Sequence, residues 1–524
     1  MKRVIFITTL VSALFFLTFA REKGSISHIV PDNFSSSEKF DTERDEDISI
    51  QSNGYESYTG YAYSLKVLSK GAGDSFANIV KEPNTIYEIR DVFDLKGKTV
   101  TIPENCVLRF EGGTLKNGTI VGNNTVLEGP ATSILNKTLD FKGVDKFHID
   151  GIYFPKGKDI SVLAQRMLDV FNYLELKTGT YYLSSPLILK GYYTKIKGEG
   201  KGTIITTDRK IDYAIRTVFN SEVQKPGEYY NASIIDISDL MIDGGKSKLF
   251  KNGIFLDGPS CTVRNCFVTN IESVGVKLYK WCNYLENCII THCDIGVLIS
   301  EHANAVNVCY NRIESNTVNI VVNGFRGINI SNNTLEGAST FNIAVGSGIS
   351  CKIKDNYFEG STNSVTNILS TTEDRALEFS GNKMIKGCLW VGSINLSEKN
   401  NLTNISYKIG SQKAPSAVVV EDNYADIPSE KSVLGISAPE LYFVLVGSCS
   451  VSCVINNNTI VRPQKAVCGF FDTDNAVLGN TEILNNFVAH TAHTNNSLEL
   501  IHDKYSKDGW RAKKHIVGNL RIDE

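Results

Sequence analysis

The chain has 524 residues, 42% hydrophobic and 21% charged, with a formal net charge of −3. That composition excludes a wholly disordered, collagen-like or disulfide-scaffold protein, and the near-neutral charge argues against a nucleic-acid binder with its basic face. Asn is abundant, with 46 copies, 33 of them between positions 251 and 500. Asn is a poor helix and strand former but a good turn former, so short strands joined by many turns are predicted.

Residues 1–20, MKRVIFITTLVSALFFLTFA, set Lys2 and Arg3 ahead of an apolar run that ends at Ala20. This is the pattern of a signal peptide. No later stretch approaches the ~18 apolar residues of a spanning helix. The mature chain is therefore expected to have no transmembrane segment and to be exported to the periplasm, the outer cell surface or the medium. Residues 21–60 are Ser- and acid-rich and read as a flexible linker. Residues 61–150 alternate apolar and polar residues between Gly and Asn turns, as an amino-terminal β extension and first coils would. Across 160–175, ISVLAQRMLDVFNYLE spaces Val162, Leu163, Met167, Leu168, Phe171 and Leu174 at helical intervals and predicts one short capping helix.

From about 234 a repeat dominates. Asn265, Asn287, Asn311, Asn333, Asn356 and Asn382 recur every 22–26 residues, with less regular copies at Asn423, Asn458 and Asn486. A period of this size means a stacked architecture. The segments are too short for helical repeats and lack the fixed Leu positions of leucine-rich repeats. An all-β parallel β-helix over 151–500 remains, with 501–524 as a carboxy-terminal cap or tail. In it the Asn side chains stack in one turn and satisfy polar groups that stacking buries.

The segments GIFLD (253–257), GVKLY (275–279), GVLIS (296–300), NIVVN (319–323), NIAVG (342–346) and NILST (367–371) share one phase. Strand alternation then turns Ile254, Val276, Val297, Ile320, Ile343 and Ile368 inward. Leu256, Leu278, Ile299, Val322, Val345 and Ser370 also point in, and Asp257, Tyr279, Ser300, Asn323, Gly346 and Thr371 point out. The 12 Cys show neither CxxC pairs nor zinc-site spacing. Cys266 and Cys288, with Cys309 near the same phase, read as buried thiols stacked in the core.

Over roughly 61–500 the chain resembles the right-handed parallel β-helix proteins of the pectate-lyase-like superfamily. The stretch LKTGTYYLSSPLILKG followed by IKGEGKGTII is similar to the start of such coils, where a short helix precedes a G-T-Y strand. The segment 84–129 resembles an amino-terminal extension of such exported proteins in gut Bacteroidales. The resemblance implies a polysaccharide or oligosaccharide partner. It leaves the reaction open, since lyases, hydrolases, epimerases and non-catalytic adhesins share this coil. The four polygalacturonase motifs are absent, and so is the Asp cluster of calcium-dependent pectate lyases. No catalytic residue is carried over by motif and no cofactor or metal is assigned, with calcium left open.

The coil alignment offers a site instead. Just after the aligned strands come Asp257, then Tyr279-Lys280-Trp281, Glu301-His302, Phe325-Arg326 and Glu373-Asp374. Coils stack about 4.8 Å apart, so Asp257 and Glu301, two coils apart, have backbones roughly 9.6 Å apart. That is near the upper end of the ~6.5–9.5 Å carboxyl separation of inverting glycosidases. Lys280 beside Glu301 suits a lyase, which needs a base and a cation near a uronate. Asp257, Glu301, Lys280 and His302 are the candidate catalytic residues. Tyr279, Trp281, Phe325, Arg326, Glu373 and Asp374 are the candidate substrate contacts. The expected function is cleavage of a glycan by a glycoside hydrolase or polysaccharide lyase, with a non-catalytic glycan-binding or adhesion protein as the alternative.

Overall fold

Alternating short strands with tight corners leave the chain one way to bury its apolar residues, which is to wind them inward and stack the turns. The computed structural model describes residues 63–69, 75–219, 231–323, 326–345, 350–359, 365–369, 376–385, 389–391, 417–426, 443–446, 452–461, 466–470, 481–490, 499–503 and 514–523. The expected signal peptide (1–20) and linker (21–60) lie outside these residues. The fold is an all-β right-handed parallel β-helix of about 12 turns. Each coil contributes one strand to each of three parallel sheets. The first runs from Tyr173–Glu175 to Lys514–Val517, the second from Gly179–Tyr182 to Leu520–Asp523, and the third from Leu187–Leu189 to Glu499–Asp503. Strands thus continue through 514–523, within the segment expected as a cap or tail.

Residues 63–153 stack in parallel strands of their own. A five-stranded sheet takes Ser64–Leu68, Thr85–Ile89, Val107–Phe110, Thr125–Pro130 and Phe147–Tyr153 in order. One apolar core runs from Leu68 in this part to Val488 in the main solenoid. The capping helix spans Ser161–Phe171, shorter than expected. Asn172 ends it in the left-handed conformation, and Tyr173–Glu175 becomes the first strand, so Leu174 is buried in the coil instead of on a helix face. Val162 stands 79% exposed, because Ser161, Ala164, Met167 and Leu168 form the inner side. No described helix is long and apolar enough to cross a membrane.

The predicted inward columns hold for five coils. Ile254, Val276, Val297, Ile320 and Ile343 pair in register, as do Leu256, Leu278, Ile299, Val322 and Val345, and all are fully buried. The sixth coil is shifted by one, since Ile343 pairs with Asn367 and Ala344 with Ile368. Ile368 therefore does not share the register of Ile343, and Ser370 lies outside the described residues. Gly275 shows why the preceding column begins with glycine. A Cβ there would fall 2.7 Å from the Gly296 carbonyl of the next coil. Two coils on, the same column holds Asn319 and Asn342, buried and bonded to each other at 2.7 Å.

The Asn ladder is real but is displaced by one residue in its first two coils. Asn265 and Asn287 occupy the left-handed corner position, with φ of 54° and 52°, and point to solvent. The buried rung is the next residue, Cys266 and then Cys288. Asn287 therefore does not stack on Asn311; the backbone N–H of Cys288 donates to Asn311 Oδ1 at 2.9 Å. From Asn311 the rungs run through Asn333, Asn356, Asn382, Asn423, Asn458 and Asn486 to Asn519. Two adjacent corner positions both favour Asn, one for its left-handed φ and one for its hydrogen bonds, and the sequence period alone cannot tell them apart. Cys309 is not a rung either. It sits in the first sheet, paired with Glu286 and Ser331.

Each rung is fully used. Asn356 Oδ1 accepts from the Asn333 backbone N–H and Nδ2, both at 3.0 Å, while its own Nδ2 donates to Ile330 O at 2.9 Å and Asn382 Oδ1 at 3.1 Å. Asn356→Ala orphans buried groups on both neighbouring coils and should lower stability by about 3 kcal/mol, read as a lower denaturant midpoint. The thiols are structural: burial pushes Cys261, Cys293 and Cys351 up to about 12, so they stay protonated and inert.

Candidate functional site

From Asn265 to Gly518, ten described corners join the first sheet to the second. Their left-handed residue is Asn, Asp or Gly in every coil from Asn265 to Gly518 except at Tyr310. The corners that follow the third sheet mostly depart from this rule, placing Tyr193, Ile234, Ser260, Cys282, Ala305 and Ser350 in the left-handed region, with Gly327 in the corner after Val318–Val322. Each such non-glycine residue costs roughly 1–2 kcal/mol. The corners between the second and third sheets hold such residues too, at Lys248, His292 and Ser315, so strain alone does not single out one edge; the corners after the third sheet are the ones that carry the predicted residues.

Asp257, Tyr279 and Ser300 stack on successive coils there. The Tyr279 N–H donates to Leu256 O and the Ser300 N–H to Leu278 O, each at 2.9 Å. Glu301 follows Ser300 and so sits one residue beyond the Asp257 column. The backbone N–H of Asp257 donates to the Thr217 hydroxyl. Burial raises the Asp257 carboxyl above the usual range, against the pull of Lys280, Arg216, Lys277 and the Phe219 backbone N–H. Glu301 moves the other way. Burial acts to raise it, but the Ser300 hydroxyl, its own backbone N–H, Lys277 and His302 together hold it low. Tyr279 lies between them, and burial plus the charges of Glu301 and Asp257 raise its phenol.

The aromatic rings continue the stripe. Tyr279 meets His302 edge-on at 4.9 Å and Phe255 at 6.0 Å. Phe255 stacks on Tyr213 at 5.7 Å. Trp281 meets Phe219 edge-on at 6.0 Å, with the Lys280 ammonium 6.0 Å above the indole. Asp257, Tyr279, Lys280, Trp281, Glu301 and His302 are thus brought to one surface. Arg326 lies exposed at the next corner, where its backbone bridges to Asn304. Phe325, Glu373 and Asp374 lie outside the described residues. His292 is exposed at a different corner, with the Thr291 hydroxyl 2.9 Å from Nδ1. Among the described residues no three His, Cys, Asp or Glu side chains group closely enough to hold a metal ion.

Sequence reasoning missed Tyr213, Arg216, Phe219, Phe255 and Lys277. Phe255 and Lys277 were within reach, because the aligned GIFLD and GVKLY segments already set them side by side at the outward position between two inward ones. Arg216 pairs with Phe255 in register, but the long interval between Thr217 and Phe250 hides its coil from any search at the 22–26-residue period.

The fold and these corners define a parallel β-helix with acidic, cationic and aromatic side chains along one edge. No family model matches the chain, and no curated protein matches it. Among solved structures it is similar to DFA-IIIase from Arthrobacter chlorophenolicus A6, at 10% identity, covering 63% of this chain and 92% of that one, with a TM-score of 0.45. It is also similar to the A-module of the mannuronan C-5 epimerase AlgE6 of Azotobacter vinelandii, at 13% identity over 70% of this chain and 95% of that one, with a TM-score of 0.44. The catalytic domain of a GH87 alpha-1,3-glucanase gives 13% identity over 70% of this chain and 68% of that one, with a TM-score of 0.47.

Proposed function

We propose that the protein is an exported glycan-cleaving enzyme whose groove follows the corners after the third sheet, with Asp257 as general acid and Glu301 as the opposing carboxylate. The observation that carries this reading is the split between the two carboxyls. Their surroundings push Asp257 up and Glu301 down on either side of one tyrosine. Two titratable groups driven apart in this way are how an acid and a base are assigned within one site, and a glycosidic bond needs such a pair on its two sides. Lys280 and His302 assist, and Trp281 offers a ring face for a sugar. Export rests on the MKRVIFITTLVSALFFLTFA segment.

The test is incubation of the purified protein with a polysaccharide panel, reading reducing ends and the absorbance of unsaturated products. New reducing ends without unsaturated product support the reading. Unsaturated product means a lyase and overturns the acid/base pair. Binding without cleavage returns the protein to the adhesion alternative. Turnover should also follow pH on two limbs. It falls on the alkaline side as Asp257 loses the proton that its raised carboxyl retains, and on the acid side as Glu301 gains one below its lowered range. A profile that keeps rising from acid to alkaline pH contradicts these roles.

A further inference from the structure

Several arginines elsewhere in the chain are neutralised by a carboxylate close at hand. Arg264 makes two bonds to Asp236, at 3.0 and 2.8 Å, Arg109 reaches Glu128 at 2.9 Å and Arg312 reaches Glu314 at 2.8 Å. The groove is different. Arg216, Lys277 and Lys280 all bear on the Asp257 carboxyl, and Lys277 also on Glu301, yet none of the three forms an ion pair among the described residues. Arg216 Nε is buried with no hydrogen-bond partner, a state it shares among the described arginines with Arg166 Nε on the capping helix.

Ring faces hold the cations in place. The Arg216 guanidinium lies 5.0 Å over Tyr213 and 5.6 Å over Phe255. The Lys277 ammonium lies 4.8 Å over Phe255 and 5.4 Å over Tyr279. Lys280 lies 5.0 Å over Tyr279 and 5.2 Å over Phe219. A ring face fixes a cation without consuming its N–H donors, so the three present donors and no acceptors. A neutral sugar hydroxyl is matched by a donor and an acceptor together. A donor-only cluster is matched by a group that only accepts.

We propose that Arg216, Lys277 and Lys280 form a seat for a sulfate ester, so that the glycan taken into this groove is a sulfated one. The assignment rests on the glycan-cleaving reading and adds the substrate class. A sulfate ester has three terminal oxygens, one for each of three donors drawn from two coils. A carboxylate has two oxygens, which one arginine fork already satisfies. The aromatic stripe beneath would face the sugar ring that carries the ester, and Asp257 and Glu301 lie at the corner beside it.

The experiment uses the full chain with dextran sulfate, unmodified dextran and polygalacturonate as probes in affinity electrophoresis, alongside the polysaccharide panel. Dextran sulfate should retard the protein, whereas dextran and polygalacturonate should not. Arg216→Gln and Lys277→Gln should each weaken that binding at least tenfold with an unchanged far-UV spectrum, and Lys277→Arg should restore it. Lys210→Gln, at an exposed lysine away from the groove, should leave binding as it was. Equal retardation by polygalacturonate or by dextran overturns the sulfate seat, and so does a loss on Lys210→Gln as large as on Arg216→Gln. Cleavage of a neutral glycan that Arg216→Gln leaves untouched overturns the seat but keeps the cleaving reading. Sulfate-selective binding with no cleavage of any panel member keeps the seat and overturns the cleaving reading.

Discussion

Leu278→Asp should leave no folded protein. Leu278 is fully buried in the inward column, between Leu256 of one coil and Ile299 of the next. Neither of those two neighbours in the column carries a cation or a hydrogen-bond donor, so the carboxylate would be desolvated and unpaired at a cost of several kcal/mol. A typical domain has only about 5–15 kcal/mol in hand. In a solenoid the damage also spreads, because each coil is held mainly by its two neighbours. Ile299→Asp should behave identically. Tyr279→Asp, one residue along, is the control. That side chain faces the groove, touching His302 and Phe255, and its replacement should give soluble protein with a β-rich far-UV spectrum. If Tyr279→Asp fails to fold while Leu278→Asp folds, the strand is turned over by one residue.

The reason this pair of residues can be told apart in advance also explains what the sequence does and does not reveal. Inward columns combine two periods, two residues along the strand and one coil between strands, so Ile254, Val276, Val297, Ile320 and Ile343 identify one another. Ile368 looked like their sixth member because Asn-Ile recurs at 319, 342 and 367. Pairing is set across coils, however, and Asn367 lies against Ile343, not in the column of Asn319 and Asn342. The ladder misled for a related reason, since adjacent corner positions both select Asn on different physical grounds. The site was legible as far as the repeat reached. Asp257, Tyr279, Lys280, Trp281, Glu301 and His302 follow from aligned strand ends. The electrostatic character of the groove did not follow, because Arg216 enters from a coil outside the period and the opposite displacement of the two carboxyls depends on the Ser300 hydroxyl, the Phe219 N–H and burial.

Glu301→Gln should lower turnover by roughly 100-fold or more while leaving stability nearly unchanged. The substitution keeps size and removes the charge that Lys277, His302 and the Ser300 hydroxyl stabilise, so the groove keeps its shape but loses the ionised carboxylate. Glu301 is exposed and lies outside the inward columns, so the fold has little stake in it. Asp257→Asn should cost a similar factor by a different route. The amide cannot deliver a proton to the departing glycosidic oxygen, although it can still accept from the Phe219 N–H that now meets the carboxyl. The two variants separate by leaving group. With an activated aryl glycoside, which departs without protonation, Asp257→Asn should recover much of its rate and Glu301→Gln should not. If both variants keep full turnover on a cleaved glycan, the acid and base lie elsewhere on the solenoid.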